Sequence, residues 1–532
     1  MRRLRVLGGI ATPPLALLLL SGLPAAAQRV QIIPEVNHGV SAPVRNMTNE
    51  PLTGPTVRPW LKGPSANAPA VQQEDPAVQE GAGPMVGTTP GLSFLGLGNG
   101  FSGPGGAFTV QYAPPDTNAA VGATQIVETV NISYAVFDKA TGTPIAGPIA
   151  INQLWTGVDA SCANGSNLSD PVVLYDQLAG RWVVEIITVS SPYKYCYAVS
   201  TTGDATGTYN AYAFRDPVGL PDYAKVGIWP DAYYHSARMF RNGATYLGPK
   251  ACAVNRVAMI TGSAATMQCF QISNTGVDGM LPSSLDGMVR PPAGSPNYFV
   301  LLGSSTTLQL WKFHVDFTTP ANSTLTGPTN ITVAAYAEAT SFNGTVPQLG
   351  TTTRLDGLGF TLMHRLAYRN FPSANPPHES LVATHNVRVG SGASRRYAPR
   401  WYEIRSPGTV PVVYQQSTYS PDTTYRWAGS IAMDKLGDIA LGYSASSSTI
   451  NPAIRYTGRY FFNPVNGMQA EATILNGAGS QTGGLDRWGD YSSMAIDPSD
   501  GCTFWYAQEY IPSNGSFNWA TQIASFKFPF CH

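Results

Sequence analysis

From residue 107 onward the apolar positions fall in short runs, such as TQIVETV, PVVLYD, RWVVEI and TFWYAQ, bounded by Gly, Pro, Asn or Asp. Runs of this kind predict β-strands joined by tight turns. Six stretches repeat one order of events: PPDTNAAVGATQIVETVN, SDPVVLYDQLAGRWVVEI, IWPDAYYHSARMF, HRLAYRN, WAGSIAMDKLGDIALGYS and WGDYSSMAIDPSDGCTFWYAQ. Each opens on small or polar residues and enters an apolar strand. Several then turn through Asp and Gly, at Asp176, Asp434 and Asp497, into a second strand carrying Trp or Tyr, which is hairpin chemistry. Anchors at Asp116, Asp170, Asp231, Asn297, Arg365, Gly429 and Asp490 lie 54 to 68 residues apart. A four-stranded unit repeating near that period marks a propeller blade, so the expected fold is all-β, a seven-bladed β-propeller of four-stranded blades. Only three strands fit after Asp490. The missing one is assigned to AFTVQY, residues 107 to 112, an N-terminal strand that closes the last blade and removes an exposed edge.

The remaining N-terminal residues read differently. MRRLRVLGGIATPPLALLLLSGLPAAAQ has a basic start, an apolar run too short for a bilayer and a small-residue AAA, so residues 1–27 read as a secretory signal. Residues 28–106 are rich in Pro, Gly and Ala without strand or helix periodicity and are expected to form a flexible leader, leaving 107–532 as the propeller domain. Charged residues are 12% of the chain, with 32 basic against 32 acidic, so electrostatic attraction to nucleic acid or an anionic membrane has no basis. With no later stretch resembling a membrane span, the expectation is a secreted or periplasmic monomer.

Composition of that class makes disulfides the natural fate of the six cysteines. Cys502 and Cys531, and likewise Cys252 and Cys269, stand at the start of one strand and the end of the next; elimination pairs Cys162 with Cys196.

In a propeller the entrances to the innermost strands converge on one mouth. Asp231 and Asp490 are the candidate general acid and base, with Tyr491 beside Arg487 as nucleophile or proton donor. Asp116, Asp170, Arg365, Arg426, Arg455 and Arg487 are candidate ligand contacts, because guanidinium forks grip carboxylate or sulfate and the neighbouring rings stack on sugars. His235, Arg238, His385, Arg388, Arg395, Arg396, Arg459 and Glu509 are expected on longer loops of the same face. The competing reading is scaffold: short polar residues at strand entrances cap turns, and arginines bridge blades. No zinc spacing, complete calcium loop, Walker loop, GxSxG or dinucleotide fingerprint is present, so neither metal nor cofactor is expected.

The blocks PPDTNAAVG, KVGIWPDAYY, SPNYF, RWAGSIAMDKLGDIALGYS and RWGDYSSMAIDPSDGCTFWY resemble those of a group of uncharacterised secreted bacterial β-propeller proteins, over roughly Gly91 to the C-terminus. The resemblance implies an exported bacterial propeller and transfers no catalytic residues. Two functions fit: binding or processing of an extracellular glycan at the channel mouth, as a hydrolase or lyase, or a non-catalytic propeller that engages proteins or a cell surface.

Overall fold

The computed structural model describes residues 1, 29–49, 54–59, 61, 74–339 and 344–532. Apart from Met1, the expected signal segment lies outside the described residues. The described chain is all-β, with a single α-helical turn pair at Arg256–Thr261. No described helix is long and apolar enough to cross a membrane.

Seven antiparallel four-stranded units follow one another along the chain. Their first strands are Asn118–Val121, Leu168–Asp176, Leu220–Ile228, Met280–Leu285, Leu366–Phe371, Tyr425–Met433 and Ser493–Ile496. Each first strand packs beside the next, and the seventh packs back on the first. Between the fourth and fifth units the contact becomes a short parallel ladder, Ser283 to Leu366 through Leu285 to Tyr368. Large rings fill the wedges between units: Trp229 of the third lies 4.7 Å from Tyr368 of the fifth and 5.9 Å from Tyr298 of the fourth. Burying such side chains contributes about 1.5–3 kcal/mol each, which lets a chain with few helical residues order itself.

The seventh unit is completed from the N-terminal side, as the edge argument requires, but by a different segment. Thr89–Gly98 pairs antiparallel with Ala520–Lys527, while residues 107 to 112 contribute only their two ends to two-residue strands, Gly106–Ala107 paired antiparallel with Ser102–Gly103 and Tyr112–Ala113 paired parallel with Thr56–Val57. The boundary of the leader moves accordingly. Gln31–Val40 pairs with Tyr209–Arg215 on one side and with Thr266–Gln271 on the other, merging the second and third units into a nine-stranded sheet. Val78–Gln79 adds a parallel edge to the fifth unit. These pieces lack a self-sufficient apolar face; the open edges of finished sheets supply their hydrogen-bond partners.

Two anchors also shift. Asn297 begins the second strand of the fourth unit, whose first strand is Met280–Leu285, and Asp231 sits in the hairpin turn after Leu220–Ile228. Both true first strands, MLPSSL and LPDYAKVGI, carry Pro and polar residues that hide them from a search for apolar runs. All three disulfides form as paired from sequence: Cys162–Cys196, Cys252–Cys269 and Cys502–Cys531. The second pair lies directly opposite in one ladder.

Candidate functional site

At the end of the ring where the first strands begin, one hydrogen-bond chain passes through four units. The Asp490 N–H donates to Asp116 Oδ1 at 2.8 Å, and the Asn131 amide donates to Asp116 Oδ2 at 2.6 Å. Asn131 Oδ1 in turn accepts the Asp170 N–H at 3.0 Å, and Asp170 Oδ2 accepts the Tyr223 N–H at 3.0 Å. Asp116, Asp170 and Tyr223 hold left-handed backbone, with φ of 51°, 62° and 54°. A non-glycine residue adopts that region at a cost of order 1 kcal/mol, and here it accompanies the bonds that the Asp170 and Tyr223 N–H groups make to side-chain oxygens of neighbouring units, Asn131 Oδ1 and Asp170 Oδ2.

Around this chain the charged side chains are nearly all buried. Arg487 donates to Asp490 Oδ1 at 2.7 Å and to Asp356 Oδ2 at 2.5 Å. Arg238 donates to Asp222 at 2.7 Å and Asp278 at 2.5 Å. Glu509 Oε2 accepts the Gly489 N–H, while its Oε1 is buried without a hydrogen-bond partner among the described residues. The Lys225 ammonium sits 3.6 Å from the centroid of the Tyr223 ring and 4.0 Å from that of Tyr491, donating to the Ala224 carbonyl.

Burial is the main force on protonation here. It pushes the Asp490 carboxyl up to about 7 against the pull of Arg487, and Asp222 up to about 7 against Arg238. Asp116 is raised well above the carboxylate range by burial and then by Asp490 and Asp170. Burial lowers Lys225 to about 8, resisted by Asp170, Asp116, Asp490 and Glu185. Tyr491 and Tyr223 are raised by burial and the nearby carboxylates, so both phenols stay protonated at neutral pH. Carboxyl groups that exchange a proton near neutrality beside fixed cations are what acid–base chemistry needs.

The mouth is covered by part of the expected leader. The carbonyl of Arg58 accepts Arg487 Nε at 3.0 Å, and the carbonyl of Leu61 accepts Arg238 Nη2 at 3.0 Å. The Arg58 guanidinium donates to the Leu168 carbonyl at 2.8 Å and lies 4.5 Å from the Tyr112 ring. Residues 54–59 and 61 therefore form a strap across the carboxylates.

Of the sequence candidates, the structure gathers Asp116, Asp170, Arg487, Asp490 and Tyr491, joined by Arg238 and Glu509. Tyr491 donates its hydroxyl to the Pro171 carbonyl at 3.0 Å and is fully buried, so it serves as a wall for Lys225 and not as a free nucleophile. Asp231 is exposed at the opposite end of its strand, accepting from Tyr234, and is removed from the acid–base pair. Arg365 fixes Asp286 with two 2.6 Å bonds and reaches the Met494 carbonyl, filling the middle of the ring, where about 40 Å³ of open space remains. Arg426 and Arg455 both hold Glu471 within the sixth unit; Arg426 also grips Asp422, and neither reaches the Asp490 cluster. His235 and His385 are buried against Tyr197 and Tyr402, respectively. No group of three or more potential metal ligands occurs among the described residues. Sequence reasoning missed Asp222, Lys225, Asp356 and Arg58, which lie in Pro- or Gly-rich stretches without alternation.

No family model matches the chain, and no curated protein matches it. Similar solved structures include the N-terminal domain of Nup159, with TM-score 0.33 and 10% identity, covering 86% of this chain and 100% of that one. An exo-β-1,3-galactanase from Clostridium thermocellum overlaps with TM-score 0.30 and 9% identity over 68% of this chain and 81% of its own. A Trypanosoma rangeli sialidase gives 0.30 and 9%, over 68% and 55%. Overlaps this weak carry no argument about activity.

Proposed function

We propose that the protein is a secreted, monomeric seven-bladed β-propeller, closed by Thr89–Gly98 and akin to the secreted bacterial propellers of WPDAYY and RWGDYS type, that binds or processes an extracellular glycan at its mouth. The observation that carries this reading is the convergence of Asp116, Asp170, Asp222 and Asp490 with Lys225, Arg238, Arg487 and two tyrosines at one end of the ring. Asp490 is the candidate general acid or base: its Oδ1 is oriented by Arg487, and burial keeps its proton exchangeable near neutrality. Movement of the strap would take the Arg58 carbonyl off Arg487 Nε and the Leu61 carbonyl off Arg238 Nη2, offering one N–H from each to hydroxyl or carboxylate groups of a sugar. Three disulfides fit an oxidising compartment.

The test is a panel of polysaccharides offered to the purified mature protein, reading both retention and release of sugars. Wild type is expected to retain at least one glycan. Release that falls by roughly a hundredfold or more in Asp490→Asn, with retention kept, identifies turnover; retention without release identifies a binding module. Silence in both readouts overturns the glycan reading.

One observation favours a second reading, a non-catalytic propeller that binds extended polypeptide. The strap offers its own main-chain carbonyls, at Arg58 and Leu61, to Arg487 and Arg238. Capture of a strap-like peptide in place of any glycan would decide for it.

A further inference from the structure

At the end of the ring opposite the mouth, where the first strands finish, a cavity of about 620 Å³ opens between the fifth and sixth units. That volume lies in the range of sites for small ligands. Its walls combine rings and cations. Phe371 stacks on His378 at 5.0 Å, and Tyr414 is 45% exposed with the Arg405 guanidinium 3.4 Å over its ring. Phe461, at the rim, is 53% exposed and continues outward through Phe462 and Phe530, both similarly exposed. Sugar rings present C–H faces that pack on such surfaces.

The charge balance of the lining is unequal. Arg405, Lys435 and Arg459 face one lining carboxylate, Glu403. Both of its oxygens are engaged: Oε1 accepts from Ser380 and Arg405, and Oε2 accepts from Gln415. Only Nε of Arg405 is used in that contact, so its terminal nitrogens have no hydrogen-bond partner among the described residues. The Lys435 side chain is exposed and makes no hydrogen bond or ion pair there either, whereas Arg459 is buried with its terminal nitrogens spent on Gln415 Oε1 and on the Asn463 and Pro464 carbonyls, so it contributes charge and not a spare donor. Asp434 and Asp438 lie behind the Lys435 turn, where Asp434 Oδ1 accepts three turn N–H groups and Asp438 Oδ1 accepts that of Phe461. The terminal nitrogens of Arg405 and the Lys435 ammonium, beside exposed rings, match a planar carboxylate carried on a sugar ring.

We infer that this cavity is a second binding site, for uronate residues of an acidic polysaccharide, with Tyr414 and Phe461 under the sugar faces and Arg405 and Lys435 on the carboxylates. The site is distinct from the mouth and does not depend on the reading given to it.

Tetragalacturonate, titrated calorimetrically into the full-length mature protein, tests this. Binding is expected for the acid, with at least a roughly tenfold weaker response for its methyl ester. Lys435→Ala and Tyr414→Ala change exposed positions, so native circular dichroism should persist while affinity drops by roughly fivefold or more in each. No binding of tetragalacturonate, equal binding of the ester, or indifference to both substitutions overturns the proposal. Asp490→Asn serves as the location control, since loss of tetragalacturonate binding in that variant would move the site to the mouth and overturn it as well.

Discussion

Asp116 spends both carboxylate oxygens on the protein itself, one on the main chain of Asp490 and one on Asn131. It is therefore an organiser of the mouth more than a reagent, whereas Asp490 keeps one oxygen that accepts no bond among the described residues. Replacing Asp116 by Ala strands two buried donors, and urea unfolding should show a loss of about 2–4 kcal/mol. Residues of this kind were partly legible. Asp116, Asp170, Arg487 and Asp490 stand as polar punctuation directly before or within apolar runs, which a sequence displays openly. Asp231 looks identical in that respect, and only the three-dimensional path of LPDYAKVGI reveals that it belongs to the other end of the strand. Lys225 was invisible for the opposite reason: a lysine in a strand reads as solvent-facing, and its ammonium is enclosed by Tyr223 of its own strand together with Tyr491 from the seventh unit.

Among elements, the closing strand Thr89–Gly98 was the least legible, because Pro90, Gly91, Gly96 and Gly98 suppress its strand propensity. Its order comes from its partners. A Cβ at Gly96 would overlap Thr521 Oγ1 and the Glu128 carboxyl, so glycine is what lets the backbone approach. Glu128 accepts the Leu97 N–H at 2.6 Å, and Thr521 Oγ1 stands 2.7 Å from Glu128 Oε1 and 2.6 Å from the Leu97 carbonyl. One hydroxyl hydrogen cannot serve both short contacts. A protonated Glu128 resolves this by donating to Thr521, which then donates to Leu97, in keeping with a carboxyl that burial pushes up to about 7. The folded state thus binds a proton that the unfolded chain releases near its ordinary value of 4.5. This contribution is fully present below pH 4.5 and is lost as pH rises through 7, on the order of 3 kcal/mol. Glu128→Gln mimics the protonated form. Its stability should match wild type near pH 4.5 and exceed it near pH 7.5, as followed by denaturant titration at both values. The hairpins at Asp176, Asp434 and Asp497 and the three disulfides, by contrast, are local or sequential features, and the sequence displays them directly.

For the whole molecule, the mouth and the strap form one unit of behaviour. Residues 54–59 and 61 are held by the two-residue ladder of Thr56–Val57 with Tyr112–Ala113, by the Arg58 and Leu61 carbonyls, by the Arg58 guanidinium and by Leu61 against the core, so their hold on the ring is local. Arg58→Ala should loosen the strap without unfolding the ring. Hydrogen exchange at the amides of residues 487–491 is expected to speed up by roughly tenfold or more while the outer strands keep their protection. The succession of antiparallel four-stranded units follows from the repeat, but the joining of the second and third units by Gln31–Val40 does not. That strand has no partner of like composition elsewhere in the chain, and its place exists only once two sheet edges face each other.

The pairing of Thr89–Gly98 with Ala520–Lys527 also decides how the molecule can come apart. A linear array of units frays from its ends, shedding one at a time. Here the last strand of the ring is clasped to a segment that precedes its first four-stranded unit, so neither the first nor the last unit is free to start the fraying. Loss of any one unit first requires the clasp to open, and the ring resists proteolysis and thermal wear as a belt does, by the strength of its buckle.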